Sequence, residues 1–402
     1  MQSRAPKPAY LGLFWFGIQV VWGALLGVSL QARISDLAAV HAVAAYGPIA
    51  AIGAAVAAVT QIGIGIWSDR RRVHGSRRIE FYASGVAIAV PALLWFYLAP
   101  SLAQLVTALV ALQIGMNLAI GPYQAVIPDF VSERDLGKAS SWMAALQSAG
   151  NACGALAAAL IPNAGAVALI LAAALIATCA LTVMHVRELP LLAARSQPLR
   201  VSRAFVDLFI SRALIFLGFY TLLGYLFFYV RGSLSGDTKL ITGSIILVVT
   251  ASGVIGAAIA ARPADSYDRR TIAAIGGGGF VVALCAFLIA HSLIGILFSA
   301  LIAGVAWGVF LSGDWALGCQ LLPRFALATG MGLWNLALLI PQILAPLIAT
   351  AVLARLGALQ NPQGARVAFI VAAVEVACGI AWLSRLPPSV RSVEKAPYGN
   401  IP

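Results

Sequence analysis

The sequence predicts an all-α polytopic membrane protein, and three observations carry that prediction. Apolar residues make up 61% of the 402-residue chain and charged residues only 10%, against about 25% charged in ordinary soluble domains. A water-soluble body of this size would lack the polar side chains to cover its surface. Apolar stretches of about 20 residues, the length needed to cross hydrocarbon, recur along the chain. Lys and Arg collect between alternate stretches, which is the charge asymmetry of membrane topology. The apolar content also excludes disorder. The net charge of +12 does not indicate nucleic acid, because the basic residues sit where they orient spans.

Twelve spans are expected, at 11–33, 43–66, 79–99, 101–127, 138–160, 165–184, 211–230, 239–261, 272–291, 293–318, 329–352 and 366–384. Pro100, Pro128, Pro162 and Pro323 fall near breaks between them. The run from Leu11 to Leu30 is too long for a signal-peptide core and lacks a cleavage pattern, so it reads as span one. The longest polar interval, 185–210, is expected to link a six-helix half at 1–184 to a second half, with a short tail, at 211–402. With the amino terminus in the cytoplasm, 21 of the 26 Lys and Arg residues lie inside. Only Arg33, Arg231, Lys239, Arg355 and Arg366 fall outside. Both termini are therefore expected in the cytoplasm. Short loops and the lack of sorting signals point to a bacterial inner membrane, and a monomer is the expected assembly.

Cys153, Cys179, Cys285, Cys319 and Cys378 lie within or at the edges of apolar segments. Their spacing suits packing, with no disulfide framework or metal site. Gly276–Gly279 lacks the lysine and hydroxyl of a phosphate loop. No histidine cluster or nucleophile constellation is present, so neither an enzyme nor a cofactor is expected.

An internal repeat is visible. Gly65-Ile66-Trp67-Ser68-Asp69-Arg70-Arg71, between spans two and three, pairs with Ala261-Arg262-Pro263-Ala264-Asp265 and Arg269-Arg270, between spans eight and nine. The aspartates are 196 positions apart. Gly121-Pro122-Tyr123 and Gly313-Asp314-Trp315 close spans four and ten, their glycines 192 positions apart. Two matches at nearly one offset indicate duplication of a six-helix unit. The loop Gly65-x-x-x-Asp69-Arg70 with Arg77-Arg78 resembles the loop 2–3 signature of the major facilitator superfamily, with a degraded second copy. Within it the chain looks most like the sucrose-type and glycoside–cation symporter branches. The segments carrying that likeness are Gly121–Ala125 with Pro128-Asp129, Gly313–Leu317 with Leu322-Pro323, Gly332–Asn335, and Pro341-Gln342. The resemblance implies two pseudo-symmetric six-helix halves, alternating access, and a cavity lined by spans 1, 4, 7 and 10.

Polar residues inside spans are costly in lipid and tend to face a cavity or another helix. Gln19 and Trp22 on span one, Gln113 and Asn117 on span four, and Asn151 on span five are candidate substrate contacts. So are Tyr225 on span seven, Trp315 on span ten, and Asn335 and Gln342 on span eleven. Amides suit hydroxyls, and Trp22, Tyr225 and Trp315 suit the apolar face of a ring. For each residue, interhelical bonding is the competing reading. Asp314, near the end of span ten, and Glu375, within span twelve, are candidate coupling or gating residues, since a carboxyl out of water can carry a proton. Pairing of Asp314 with Arg324 is the alternative. By resemblance, Asp69 and Arg70, with Asp265 and Arg269 in the weaker copy, form conformational latches. Span two has no acid before Asp69, which argues against the sodium site of the glycoside symporters.

The expected function is a secondary transporter that moves a small polar solute, such as a sugar or glycoside, across the bilayer, with a proton as the candidate co-transported ion. The alternative is an efflux carrier for amphiphilic drugs, lipids or metabolites. A non-transport role, as a sensor or assembly factor, lacks the extra domain it would need.

Overall fold

A computed structural model describes residues 8–73, 79–124, 136–185, 202–266, 268–321, 327–361 and 363–386. Among the described residues the structure is helical throughout. The helices are α1 (Pro8–Ala24), α2 (Leu30–Ala38), α3 (Ala42–Val73), α4 (Ile79–Leu98), α5 (Leu102–Tyr123), α6 (Leu136–Leu160) and α7 (Ala164–His185). They continue as α8 (Arg203–Ser233), α9 (Thr238–Ser266), α10 (Arg269–Ile289), α11 (Leu293–Leu321), α12 (Leu327–Arg355) and α13 (Ala365–Leu383). Eleven helical runs are long and apolar enough to cross a membrane, and the first, Gly12–Ser68, is 57 residues long. That run would be roughly 85 Å if straight, far more than a bilayer needs. It breaks at Ala39–His41, where Ala39 has φ 46° and a 3-10 turn follows. The break falls between expected spans one and two, and α3 to α13 correspond in order to the expected spans two to twelve.

Helix starts follow local chemistry. The side chains of Ser101, Asn163, Ser202, Asp237, Asp268 and Ser292 each accept a backbone N–H from the first turn of the helix that follows, satisfying donors that a helix leaves open. At the end of α12, Gly357 takes φ 64°, and Ala358 N–H reaches the Leu353 carbonyl at 2.8 Å. This is the left-handed stop that glycine favours. Span one is interrupted by a π-helical turn, Leu25–Ser29. Gln31 Nε2 donates to the Leu26 carbonyl at 2.8 Å, and the Ser29 hydroxyl meets Tyr97 at 2.6 Å.

Two sequence expectations change. The segment Gly65–Arg71, read as an inter-span loop, is the last part of α3, which continues to Val73. Ala261–Asp265 likewise lies inside α9, and α8 begins at Arg203, well inside the interval expected to be linker. Helices α3 and α9 extend past their apolar windows because a helix needs no hydrophobic face once it emerges into water.

The chain groups into two compact units. Unit one is Met1–Arg195 with Leu223–Leu247 and Pro346–Ala365; unit two is Ser196–Leu222, Val248–Ala345 and Arg366–Pro402. In unit one, α4 and α5 meet through Gly85 and Gly115, where an added Cβ would lie 2.6 Å from Gly115 O and from Ala89 N, respectively. In unit two, α10 and α11 meet through Gly313 against Ala273 N, also 2.6 Å. Gly17 of α1 faces the Ala174 carbonyl of α7, and Gly218 of α8 faces the Ala372 carbonyl of α13. Gly121 of α5 faces Gln61 O of α3, and Gly308 of α11 faces Ala257 N of α9. Small residues allow this approach of backbones, and the same three pairings recur in each unit, as duplication requires.

Candidate functional site

The most chemically loaded surface in unit two is a strip where α8 faces α11. Arg212, Phe216 and Phe219 stand at spacings of four and three on α8, which places them on one face. Asp314, Phe310 and Trp307 have the same spacing, in the opposite chain direction, on α11. Trp307 stacks on Phe219 with centroids 4.1 Å apart and meets Phe216 edge-on at 5.0 Å. Phe280 of α10 adds a ring 5.3 Å from Trp307.

The strip ends in a buried ion pair. Arg212 Nη1 contacts Asp314 Oδ2, and the two residues are only 3% and 2% exposed. Trp334 of α12 and Phe216 flank the guanidinium, their centroids 4.2 Å and 4.7 Å from Cζ. Such stacking offsets part of the lost hydration. Arg212 Nε is buried and has no acceptor among the described residues. An ion pair out of water is a poor stabiliser by itself, because desolvation cancels much of the attraction. A buried donor left open adds to that cost. Asp314 is thus held by Arg212 on another helix, a residue the sequence reading counted only as a topology charge. The signal for it was a lone cation in an apolar run, four residues before an aromatic ring.

Glu375 of α13 is also buried, at 8% exposure. The Thr221 hydroxyl of α8 donates to its Oε2 at 2.9 Å, while Oε1 is buried and has no partner among the described residues. The two carboxyl groups differ in kind: Asp314 faces a cation, and Glu375 a hydroxyl.

In unit one, Gln113 and Asn117 are both buried on α5 and bond to each other, Asn117 Nδ2 donating to Gln113 Oε1 at 3.1 Å and to its carbonyl at 2.9 Å. Gln19 and Trp22 of α1 and Asn151 of α6 are half-buried. Gln19 lies beside Gly150, and the Asn151 backbone lies against Gly23. The polar set on α1, α5 and α6 is therefore present, with two of its amides occupied by one another. Tyr225 is fully buried, and its hydroxyl meets Thr350 and the Pro346 carbonyl while its ring meets Tyr46 edge-on at 5.5 Å. Tyr225 is thus engaged in packing within unit one in this structure.

Trp315 is 50% exposed and does not join the aromatic strip. Asn335 and Gln342 are half-buried on α12. Arg269 donates to the Ala316 carbonyl at 3.3 Å, tying the start of α10 to α11. The side chains of Asp69, Arg70 and Asp265 lie outside the described residues, as does Arg324. Sequence reasoning missed Trp307, Phe310 and Trp334, because aromatic residues in apolar helices carry no individual signal. No group of His, Cys, Asp and Glu suited to a metal ion is found among the described residues.

The chain shares its fold with solved structures of transporters. A bacterial homolog of the human lysosomal transporter Spinster, in its inward-facing and occupied conformation, is 17% identical with a TM-score of 0.73, covering 93% of this chain and 95% of that one. A variant of the nucleoside transporter NupG has a TM-score of 0.73 at 11% identity, covering 94% of this chain and 99% of that one. A variant of the peptide transporter POT has a TM-score of 0.72 at 12% identity, covering 95% of each. At these identities the likeness is one of fold. No curated protein sequence matches the chain. The Major Facilitator Superfamily profile matches residues 9–346, most of the chain, and the chain belongs to the Major Facilitator Superfamily, as a transporter of the secondary kind.

Proposed function

We propose that this protein moves a small polar solute across a bacterial inner membrane by alternating access, as a monomer, with a proton as the coupled ion at Asp314. The observation that carries the reading is the buried Arg212–Asp314 pair joining α8 to α11. Protonating Asp314 would leave Arg212 charged among aromatic rings with no counterion. That penalty favours any arrangement in which Arg212 reaches water or another anion. Solute and proton then bias one equilibrium, which is the thermodynamic content of coupling. The amides Gln19, Gln113, Asn117 and Asn151 support a hydroxyl-rich solute of the sugar or glycoside type. Asn335, Gln342, Trp22 and Trp315 are further candidates for its walls. Asp69, Arg70, Asp265 and Arg269 remain candidate latches, and Glu375 a second candidate proton site.

A second reading, export of amphiphiles, is favoured by the aromatic strip around Trp307. Reconstitution in proteoliposomes separates the two. An inward proton gradient should drive accumulation of a sugar or other polar solute, and Asp314→Asn should abolish accumulation while sparing exchange of solute for solute. Accumulation that survives Asp314→Asn, or uptake of lipophilic cations alone, would overturn the proposal.

A further inference from the structure

We propose that Arg212 is the receptor for an anionic group on the transported solute, and that the strip beyond it seats a flat apolar body, so that the substrate class is an organic carboxylate with an aromatic or similarly planar frame. This rests on the transport reading only for the statement that the bound molecule is cargo, and it names a planar carboxylate in place of the sugar-type solute.

The argument begins with the donors of Arg212. The rings of Phe216 and Trp334 lie against its guanidinium, their centroids 4.7 Å and 4.2 Å from Cζ, so the groups beside the charge are apolar apart from Asp314. Nη1 points to Asp314, while Nε is buried without an acceptor. Nε belongs to the side-on edge that grips both oxygens of a carboxylate. A buried open donor beside an ion pair calls for an acceptor, and a cationic ligand would meet Arg212 itself. Asp314 is then the internal stand-in for the ligand's carboxylate.

The rest of the strip sets the body of the molecule. From Arg212 to Phe219 is seven residues, about 10 Å along the helix, the length of a carboxylate carried on a fused two-ring frame. Over that length the facing side chains are Phe216, Phe219, Trp307 and Phe310, with ring centroids 4.1 to 6.2 Å apart. A flat solute would exchange one ring stack for another, at little cost in packing. The charge at one end and rings along the rest fix its orientation.

The test uses the full-length purified protein with 2-naphthoate, 2-naphthamide and acetate, read by thermal unfolding and by quenching of tryptophan fluorescence. Naphthoate should stabilise the protein saturably, and the neutral amide of the same shape should bind at least tenfold more weakly. Asp314→Asn, which removes the internal competitor, should bind naphthoate about tenfold more tightly. Arg212→Gln with Asp314→Asn, which removes both charges together and leaves no unpaired ion, should fold and lose the preference for naphthoate. Trp307→Leu should weaken naphthoate binding and leave acetate binding unchanged. Equal binding of acid and amide, or full naphthoate affinity in the double variant, would overturn the proposal. These are binding measurements, so their outcome is independent of proton-driven uptake: charge-selective binding without coupling would sink the coupling reading and leave the anion site standing.

Discussion

Arg212 and Asp314 show how one buried pair differs from two isolated charges. Removing one partner leaves an uncompensated ion, at a cost of about 3–5 kcal/mol, whereas replacing both by apolar residues of similar volume is often neutral. Asp314→Ala should therefore lower the unfolding temperature in detergent sharply, while Arg212→Met with Asp314→Leu should restore it to near the parent value. A double variant as unstable as Asp314→Ala would mean that the pair is needed for folding itself. Thr221 offers a milder case. Thr221→Val keeps the shape and removes the one donor to Glu375 among the described residues, so a loss of about 1–3 kcal/mol is expected, and Glu375→Gln in the same background should recover part of it. At this scale the sequence is half legible. Asp314 and Glu375 stand out because carboxylates are rare in these apolar runs. Arg212 does not, because a basic residue at a span edge has an ordinary reason to be there. Gln113 and Asn117 were legible as a pair on one helix face, yet four-residue spacing cannot say that each would satisfy the other.

The elements were readable from hydrophobic runs, since a span must bury its own backbone polar groups and only a helix does so alone. What the runs do not give is where helices end in water. The charged turns of α3 beyond Ser68 are helical up to Val73 although no apolar face asks for it. Nor do they give the π turn at Leu25–Ser29, whose widened ring depends on Gln31 reaching back to Leu26. Packing between elements rests on particular glycines. An added Cβ at Gly154 would run into the Val20 carbonyl of α1, whereas one at Gly63 would meet nothing within 4 Å. Gly154→Ala should cost about 1–3 kcal/mol through overpacking. Gly63→Ala should lie within about 1 kcal/mol of the parent, helix propensity working in its favour. Comparing the two unfolding temperatures checks the assignment, and equal effects would contradict the close approach of α1 and α6.

For the whole molecule, the repeat predicted two six-helix halves, yet the compact units cut across it. Leu223–Leu247 and Pro346–Ala365 belong with the amino-terminal helices in unit one. Duplication is written in sequence offsets, but which segments group into one compact unit is not. Inside unit one the contact is specific. Tyr46 of α3 lies against Gly224 of α8, where an added Cβ would stand 2.9 Å from its ring carbon Cε1. Tyr46 also meets Phe228 edge-on at 5.5 Å, and Gly47 faces Thr350 and the Pro346 carbonyl of α12. Gly27 meets Ile246, and Gly243 meets Ala159, in the same way. The charge count expects these helix ends outside, so opening of that end would have to break these contacts, which would then serve as a clasp. Gly224→Val should push Tyr46 away and shift the population toward release. In a variant with its five cysteines replaced and Thr350→Cys introduced, a membrane-impermeant thiol reagent should label Thr350→Cys roughly tenfold faster when Gly224→Val is present, the change that about 1.4 kcal/mol brings. Gly278→Val, at a glycine with nothing within 4 Å, should leave the labelling rate alone. Equal rates with and without Gly224→Val would mean that the Tyr46 contact is ordinary packing and that the clasp lies elsewhere.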